Sequence, residues 1–460
     1  MSAYIVFLAS FLSIHLMRRS GLESAFVKAW IPVFLCLPVT FAVSISGLPD
    51  PNFSQAAILP LLFVLLRDRL GQMHFGAMEK LLAAYVLVRV FSDFLGRGYS
   101  DAQNYGFYML TSMIGPYLLG RYLVTRREMD IEAARMFVLV FLLFFPMFLF
   151  EVKFWVSPVF RMLSGFFPGA GSGLSIRWGL ARTAGTFEHP ILACIMIIAV
   201  YRLHRWLCWQ GFWDRPQTGL LLQLSKLTRF TRIPFQHQVT IALVLMALMT
   251  MSRGPWIGGL AGAALAATGN LRNRGRWLLI FLVALVIGGV AAKAALEAYI
   301  TPAEGEMLSG EATTMLYRQV MIDQYKAFLM DKFWTGWGLT TVPKIKGMES
   351  VDNAFFLMAL QHGVIAPALM VSILLYAIVT QILGGLKAPP GQSPIGFTFA
   401  GIYLMCFISF ATVYMGAQTE PMIFLLLGWG ESIRNRRQPE KPSAAVSIPD
   451  PGGGFRRVLR

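Results

Sequence analysis

The chain has 460 residues, of which 56% are hydrophobic and only 14% are charged. This balance lies outside the range of soluble globular domains, so we predict an all-α polytopic membrane protein. The formal net charge of +16 does not indicate nucleic acid binding. The basic residues lie in short segments between hydrophobic runs, as the positive-inside rule expects for a membrane protein.

Apolar runs follow one another along almost the whole chain. A helix that crosses the hydrocarbon layer needs about 20 apolar residues, and fewer when neighbouring helices bury part of it. The runs predict 12–13 transmembrane helices, near residues 3–17, 29–46, 54–66, 78–95, 105–124, 135–157, 190–207, 238–252, 255–271, 277–293, 353–384, 395–416 and 421–433. The first run is expected to be a retained helix, because no basic segment and no small-residue cleavage site mark it as a signal peptide.

The charges between these runs predict the orientation of the chain. When the connections are assigned alternately to the two sides of the membrane, one side carries the whole positive excess. Because cytoplasmic loops are enriched in Lys and Arg, that side is predicted to be cytoplasmic, with the N-terminus outside and the C-terminus inside. Two long connections, 158–189 and 294–352, then face outward and are the candidate functional loops.

These assignments divide the chain into a transmembrane domain over residues 1–433 and a disordered, basic cytoplasmic tail over residues 434–460. The connection 294–352 is the longest external loop. The connection 202–237 is a cytoplasmic loop, and its amphipathic part is expected to lie on anionic lipid headgroups.

The segment SIRWGLARTAGTFEHP, residues 175–190, surrounds Arg182 with small residues at the outer mouth of the predicted bundle. A planar guanidinium suits a phosphate or diphosphate, because it donates two parallel hydrogen bonds. The alternative is an interfacial arginine that extends toward lipid headgroups. His189 is expected to be a hydrogen-bond partner where Pro190 opens the next helix, rather than a catalyst.

The sequence MSRGPWIGG, residues 251–259, interrupts an otherwise continuous apolar run. The two flanking helices must turn around Arg253. Irregular backbone at membrane depth is tolerated where it lines protein or a water-filled cavity, so Arg253 is predicted to point into a cavity. A tight outer turn with an incidental arginine is the alternative.

The external loop contains an apolar stripe at helical spacing, formed by Leu316, Val320, Tyr325 and Phe328. The stripe predicts an amphipathic helix that lies along the membrane surface, with Arg318 near its start. A surface helix with a solvated arginine is the alternative.

Asp352 and Asn353 precede the long apolar run over residues 353–384. Asp is a favoured N-cap residue, because its carboxylate accepts backbone N–H groups, and capping is the simpler role for Asp352. A carboxylate beside several arginines can instead take a proton from a sugar hydroxyl as a general base. Both roles are compatible only when one carboxylate oxygen stays free.

Arg89 and Asp93 stand one turn apart inside the fourth predicted helix. Ionisable residues inside membrane segments are costly, so they mark functional or paired positions. We expect these two residues to form a structural ion pair or part of a cavity wall.

Taken in order, these motifs resemble the O-antigen ligase and O-antigen polymerase superfamily. The order is Arg-x-x-Gly-x-Phe-x-His-Pro from Arg182, then Ser-Arg-Gly at Arg253, then an external loop with Arg318 and Gly-x-Gly, then a polar-Asn pair before a helix that carries His-Gly. The similarity extends over roughly residues 135–385. It implies an all-helical membrane glycosyltransferase of the C type, which uses polyprenyl-diphosphate-linked sugars on the periplasmic face of the bacterial inner membrane.

The resemblance implies that Arg182 and Arg253 hold the diphosphate and that Arg318 acts at the donor or the acceptor. It departs at one point, because ligases of the family typically carry His-Asn where this chain has Asp352-Asn353. We therefore expect Asp352 to assist the acceptor hydroxyl, and we favour glycan polymerisation over ligation to lipid A core.

The resemblance implies that the transfer inverts the anomeric centre, and we expect it to need neither a metal nor another cofactor. The chain lacks DxD and HExxH spacings, and its four cysteines are scattered without CxxC spacing. Secondary candidate positions are His189, Asn353, Arg89 and Asp93.

Two other functions remain open at this point. A flippase or transporter of lipid-linked oligosaccharide would hold the diphosphate near the bilayer midplane, and a scaffold of a polysaccharide export complex would need none of these residues. The expected partners are the glycan donor and acceptor, membrane lipids, a flippase, and chain-length or export proteins.

Overall fold

The computed structural model describes residues 3–167, 175–300, 310–348, 350–389 and 392–436. Within these ranges the chain is an all-α polytopic membrane protein with a single two-stranded hairpin. The predicted tail from residue 437 onward and residues 301–309 of the predicted external loop lie outside the described residues.

Nineteen α-helices and two strands are described. The helices are α1 Leu8–Ser20, α2 Leu22–Ala25, α3 Ile31–Cys36, α4 Phe53–Arg69, α5 Ala77–Arg97, α6 Tyr99–Met109, α7 Gly115–Leu123, α8 Arg127–Phe154, α9 Pro158–Leu163, α10 Pro190–Trp209, α11 Gly219–Leu227, α12 Phe235–Met249, α13 Arg253–Thr268, α14 Arg274–Ile300, α15 Gly310–Asp331, α16 Ala354–His362, α17 Ile365–Leu386, α18 Ile395–Phe410 and α19 Thr419–Arg436. The strands are β1 Ile176–Arg177 and β2 Leu180–Ala181. Short π-helical segments join α2 to α3 and α6 to α7.

Four helices of the described residues are long and apolar enough to cross a membrane. They are Arg127–Phe154, Pro190–Trp209, Arg274–Ala295 and Ile365–Leu386. Two shorter apolar helices, Phe235–Met249 and Ile395–Phe410, accompany them. Each of the thirteen predicted apolar runs contains helical residues, although the number that spans the bilayer stays a prediction.

Several predicted helix boundaries were wrong, and two of the differences break a predicted run. The run 29–46 is helical only to Cys36, because the next residue precedes Pro38 and takes an extended conformation, as residues before proline do. The run 353–384 is two helices, α16 and α17, separated at Gly363. Gly363 has a φ of 76°, a left-handed conformation that glycine adopts without steric cost and that ends α16.

The last helix continues into the segment that was assigned to the tail. Arg436 forms a bidentate pair with Asp130 of α8, with N–O distances of 2.8 and 3.1 Å. Arg434 bonds to Glu431 one turn earlier. The pair of Arg436 and Asp130 holds the end of α19 against α8.

The centre of the bundle and its periphery differ sharply in exposure. α10, α18 and α19 are almost entirely buried, and Trp429 and Tyr403 are among the largest fully buried side chains. By contrast, α14 exposes a nearly continuous set of aliphatic side chains, among them Leu279, Val286 and Val290. α14 is therefore a lipid-facing helix at the edge, whereas the candidate site is built on the central helices.

Close approach of α13 and α18 depends on a pair of glycines. A Cβ atom at Gly262 would overlap the carbonyl oxygen of Gly401, and a Cβ at Gly401 would overlap that of Gly262. Small residues at such crossings let helix backbones pack directly on one another in membranes.

We expect Gly262→Ala to destabilise the protein by about 1–3 kcal/mol, because the two backbones must separate to admit the methyl group. Thermal unfolding of the purified protein in detergent measures the effect. Gly288→Ala in α14 is the matched control, since nothing lies within 4 Å of a Cβ there. Equal melting temperatures for the two variants would contradict the packing described for Gly262.

Candidate active site

A β-hairpin positions Arg182. Its strands β1 and β2 are antiparallel and are joined by the two-residue turn of Trp178 and Gly179, with φ values of 54° and 74°. Two-residue hairpin turns with positive φ at both positions match the natural twist of the strands. Directly after β2, the backbone N–H of Arg182 donates to the carbonyl of Ser175, 2.9 Å away, so the hairpin fixes where the arginine leaves the backbone.

The guanidinium of Arg182 is buried, with 7% of the residue exposed. Its Nε donates to the carbonyl of Thr250 at 3.1 Å and its Nη2 to the hydroxyl of Ser252 at 3.0 Å, while its Nη1 lies 3.5 Å from the hydroxyl of Ser175. Burial, with a smaller contribution from Arg177, lowers the pKa of Arg182 to about 10. Arg182 is thus a cation at neutral pH, and its hydrogen-bond partners among the described residues are all neutral.

The same hairpin lies on the irregular backbone between α12 and α13. The N–H of Thr183 donates to the carbonyl of Met249 at 3.2 Å. Arg177 donates from Nη1 to the carbonyl of Met251 at 2.7 Å. Met251 has a φ of 49°, which reverses the chain at this point. The interruption in the apolar run is therefore packed against protein, and its carbonyl groups have partners.

Arg253 is the first residue of α13 and is half-buried. Its guanidinium lies over the ring of Trp178, 5.2 Å from the ring centroid. Because Trp178 belongs to the hairpin that positions Arg182, the first two sequence motifs adjoin. The start of a helix of 16 residues also carries the positive end of the helix dipole, which favours an anion.

Glu151, which sequence analysis did not single out, anchors the loop that follows Arg182. This residue of α8 is fully buried, and its carboxylate accepts the N–H groups of Ala184 at 3.1 Å and Gly185 at 2.8 Å. A single carboxylate in the apolar run 135–157 was the available signal, because an acid at membrane depth needs a specific partner.

Arg318 and Asp352 form the second half of the site. Nη2 of Arg318 lies 3.8 Å from Oδ2 of Asp352, and the two side chains are 26% and 31% exposed. The hydroxyl of Ser350 donates to the other carboxylate oxygen at 2.8 Å. Arg318 is placed by α15, whose Met321 and Tyr325 pack with Leu360 of α16 in a small apolar cluster. The predicted amphipathic helix is thus present, although its buried face is centred on Met321 rather than on Val320.

The capping role assigned to Asp352 belongs to the next residue. Asn353 is the N-cap of α16, and its side-chain oxygen accepts the N–H of Phe356 at 3.0 Å. Either side chain can cap a helix, but the extended residue directly before the first helical turn is Asn353. The carboxylate of Asp352 is therefore not used for capping and faces Arg318 instead.

Asn353→Ala should lower stability by about 1 kcal/mol, because the first turn of α16 loses its side-chain acceptor. Asn353→Asp restores an acceptor at the same position and should unfold close to the wild-type temperature. Thermal unfolding in detergent distinguishes the two variants. An alanine variant as stable as the wild type would argue against this cap.

Residues 411–418, which we call the connector, join α18 to α19 and touch both halves of the site. A Cβ at Gly254 would lie 2.9 Å from the hydroxyl oxygen of Thr412, so the start of α13 packs directly on the connector. The carbonyl of Val413 accepts the N–H of Ala354 at 3.0 Å. Through these contacts the connector sets the start of α13 beside the start of α16.

The connector also holds the segment that precedes α10. The side-chain oxygen of Gln418 accepts the N–H of Glu188 at 2.9 Å, and its amide group donates to the carbonyl of Thr186 at 2.9 Å. The ring of Tyr414 packs edge-on against His189, with centroids 6.1 Å apart. The predicted run 395–416 placed most of the connector in a helix, but α18 ends at Phe410. The connector contacts the segments that carry three of the four predicted site residues.

His189 caps α10 and lies between the two halves of the site. Its Nδ1 accepts the N–H of Ile191 at 3.2 Å, as expected for a helix-start partner. Burial, followed by the charge of Arg182, lowers the pKa of His189 to about 4, whereas Asp352 acts in the opposite direction. The ring is therefore neutral at pH 7, and it lies within electrostatic reach of both Arg182 and Asp352.

Arg89 and Asp93 bond to other residues than those expected. Arg89 pairs with Glu420 of α19, with 3.4 Å between Nη1 and Oε1, and donates to the hydroxyl of Tyr85 at 2.7 Å. Asp93 accepts the N–H of Leu339 at 2.7 Å. The helix spacing suggested a mutual pair, but α19 brings a carboxylate closer to the guanidinium. Both residues do line a cavity, as the alternative prediction had it.

Within the ranges that the structure describes, no three His, Cys, Asp or Glu side chains are arranged so that they could hold a metal ion. The polar groups that do gather are guanidinium groups, one carboxylate and hydroxyls. Such a set suits an anionic ligand with hydroxyl groups nearby.

Residues 238–371 match the family model described as O-Antigen ligase. No curated protein sequence gives a significant match to the chain. The matched region extends from α12 into α17 and includes Arg253, Arg318 and Asp352. The hairpin with Arg182 lies before it in the chain, and contacts with the α12–α13 break bring that hairpin into the same site.

Proposed function

We propose that the chain belongs to the O-antigen ligase and polymerase superfamily, because residues 238–371 match its family model, and that this site carries out the glycosyl transfer of that family. The donor in this proposal is a polyprenyl-diphosphate-linked oligosaccharide. The product is a longer surface polysaccharide or exopolysaccharide, made on the periplasmic face of the bacterial inner membrane by an enzyme of the GT-C type.

The observation that carries the proposal is the buried charge of Arg182, whose described hydrogen-bond partners are all neutral. A buried cation is costly unless it is paired, so this position favours an anionic ligand. Three of the five guanidinium N–H groups are engaged, which leaves one on each terminal nitrogen. Those two groups can donate to a diphosphate that lies between Arg182 and the start of α13 at Arg253.

In this arrangement, charge stabilisation supplies most of the catalysis. The diphosphate gains negative charge as the glycosidic bond breaks, so fixed guanidinium groups stabilise the transition state more than the ground state. Arg253 contributes its own positive charge, and the N-terminus of α13 beside it contributes the positive end of the helix dipole. Two arginines and a helix start can take the place of a divalent cation, so the proposed transfer is independent of metal.

Asp352 acts as the general base in this proposal. The acceptor hydroxyl oxygen forms a bond to the anomeric carbon, the bond from that carbon to the diphosphate oxygen breaks, and the hydroxyl proton passes to Asp352. Arg318, 3.8 Å away, orients the carboxylate. Attack from the face opposite the diphosphate inverts the anomeric centre.

We favour polymerisation over ligation because of the residue at position 352. The ligases that this chain resembles carry a histidine base there, and here the base is a carboxylate. The positive excess of the predicted inner connections supports a cytoplasmic C-terminus and a periplasmic site. The proposed partners are the lipid-linked donor and acceptor, membrane lipids, a flippase and chain-length or export proteins.

Turnover with purified protein tests the proposal. Polyprenyl-diphosphate oligosaccharide is incubated with the wild-type chain, with and without EDTA, and the products are separated by size. Longer lipid-linked glycans that form in EDTA are the expected result. Transfer to lipid A core would identify a ligase instead, and translocation across vesicles without a new bond would identify a flippase. Loss of all transfer in EDTA would overturn metal independence.

A further inference from the structure

A cavity of about 640 Å³ lies between α5, α6, α16, α19 and the connector. Small-ligand sites usually have volumes of about 300–1,000 Å³, so the cavity has room for a short length of glycan. Tyr105 and Tyr108 of α6 and Tyr414 of the connector contribute aromatic walls. Glu188 also lines it and is the direct neighbour of His189, so the cavity adjoins the candidate active site.

Acidic groups dominate the charge of this cavity. Its lining includes Asp93, Asp101, Glu188 and Glu420, and Arg89 is the one cation among the described lining residues. Arg89 is already paired with Glu420. Glu188 lies outside that pair and adds a negative charge to the cavity wall, which repels an anionic ligand and attracts a cationic one.

Among the acidic residues of the cavity wall, Glu188 has the carboxylate that is most available to accept hydrogen bonds from a ligand. Its backbone is fixed by Gln418, but no described residue donates a hydrogen bond to its carboxylate. Burial raises the pKa of Glu188. A half-buried carboxylate in a cavity wall without a donor is a ready acceptor for hydroxyl or ammonium groups of a ligand.

Resting on the proposed function, we propose that this cavity binds the sugar units that adjoin the reacting end of the glycan, and that its negative charge makes the enzyme select neutral and amino sugars over acidic sugars. Glu188 accepts hydrogen bonds from the sugar in this assignment. Glu188 is a specificity-determining residue and takes no part in bond formation.

The chemistry of the walls supports this choice. Carboxylate oxygens accept hydrogen bonds from sugar hydroxyls and bind the ammonium group of an amino sugar more strongly. The half-buried rings of Tyr108 and Tyr414 offer flat surfaces to pyranose rings and attract a cation. A uronate would place a second carboxylate beside Glu188, and like charges in one site disfavour each other.

Binding of lipid-free trisaccharides tests the inference. The full chain in lipid nanodiscs is titrated with trimers of glucose, glucosamine and glucuronate, at about pH 6.5, where the amine is protonated. The expected order of affinity is glucosamine, then glucose, then glucuronate. Glu188→Gln should weaken binding of the glucosamine trimer about tenfold, because a charged hydrogen bond is removed. It should also reduce the difference in affinity between the glucosamine and glucuronate trimers, because the repulsion between Glu188 and the uronate is removed.

Glu132→Gln, which neutralises an exposed carboxylate of α8, is the matched control and should leave the order unchanged. Equal or tighter binding of glucuronate, no binding of any trimer, or an unchanged preference in Glu188→Gln would overturn the inference. The readout does not require turnover. Selective binding without glycan transfer would therefore count against the proposed function, whereas transfer without charge preference would count against this inference.

Discussion

Arg182→Ala is expected to lower the rate of glycan transfer by about 10²–10³-fold, the usual effect of removing one fixed donor to a developing negative charge. The loss should appear mainly in kcat, because the diphosphate becomes more negative only as the bond to the sugar breaks. Initial rates with the purified chain and lipid-linked oligosaccharide measure it. Arg182→Lys should recover little, since an ammonium cannot reproduce the fork that bonds Thr250 and Ser252.

A bracing role for Arg182 must be separated from a chemical one, because its guanidinium also ties the hairpin to the break between α12 and α13. Arg177→Ala is the matched control. Arg177 donates to the carbonyl of Met251 in the same break, from the preceding strand. If bracing alone mattered, the two alanine variants would lose similar activity and stability. The proposed role requires a much larger loss of activity for Arg182→Ala at a comparable melting temperature.

Asp352→Asn is expected to lower kcat by about 10²–10⁴-fold, the range for removal of a general base. The amide keeps the shape of the side chain but cannot take the acceptor proton. KM should change little if the carboxylate acts only on the reacting hydroxyl. Asp352→Glu should retain part of the activity, because it moves the carboxylate by one methylene without removing it.

Ser350→Ala provides the control for this prediction. It removes the hydroxyl that donates to Asp352 at 2.8 Å and leaves both the carboxylate and Arg318 in place. We expect a modest effect on kcat. Wild-type activity in Asp352→Asn would remove the base assignment, and an equal loss in Ser350→Ala and Asp352→Asn would indicate that the pair only shapes the loop.

The helical framework was largely predictable because membrane helices can be recognised by their apolar composition. Apolar runs bounded by charges located the helices, and the apolar spacing around Tyr325 located α15. What failed were boundaries that depend on backbone chemistry between runs. Helix α3 ends at Cys36, shortly before Pro38, and the apolar run continues past that proline, so composition alone did not mark the end of the helix. The interruption at Gly363 lies in a stretch that is apolar on both sides, so the hydrophobic pattern does not reveal it. At this break the N–H of Val364 donates to the carbonyl of Phe333, which is far away in the sequence.

The charged members of the candidate site could be proposed from the sequence, but the residues that support them could not. Arg182, Arg253, Arg318 and Asp352 could be chosen because polar groups near apolar runs are rare. The partners of Arg89 and the position of Asn353 as the cap depend on which helices pack together and where the first turn begins. No spacing along one helix reveals that α19 supplies Glu420 to α5.

The short connector also bears on how such proteins can be recombined. Segments exchanged between relatives usually follow helix boundaries, and α18 and α19 would each transfer intact. Eight residues between them nevertheless fit Gly254, Ala354 and the turn before α10 at once. A hybrid that takes its helices from one parent and this connector from another is therefore expected to fold its bundle but to shift the starts of α13, α16 and α10 relative to one another.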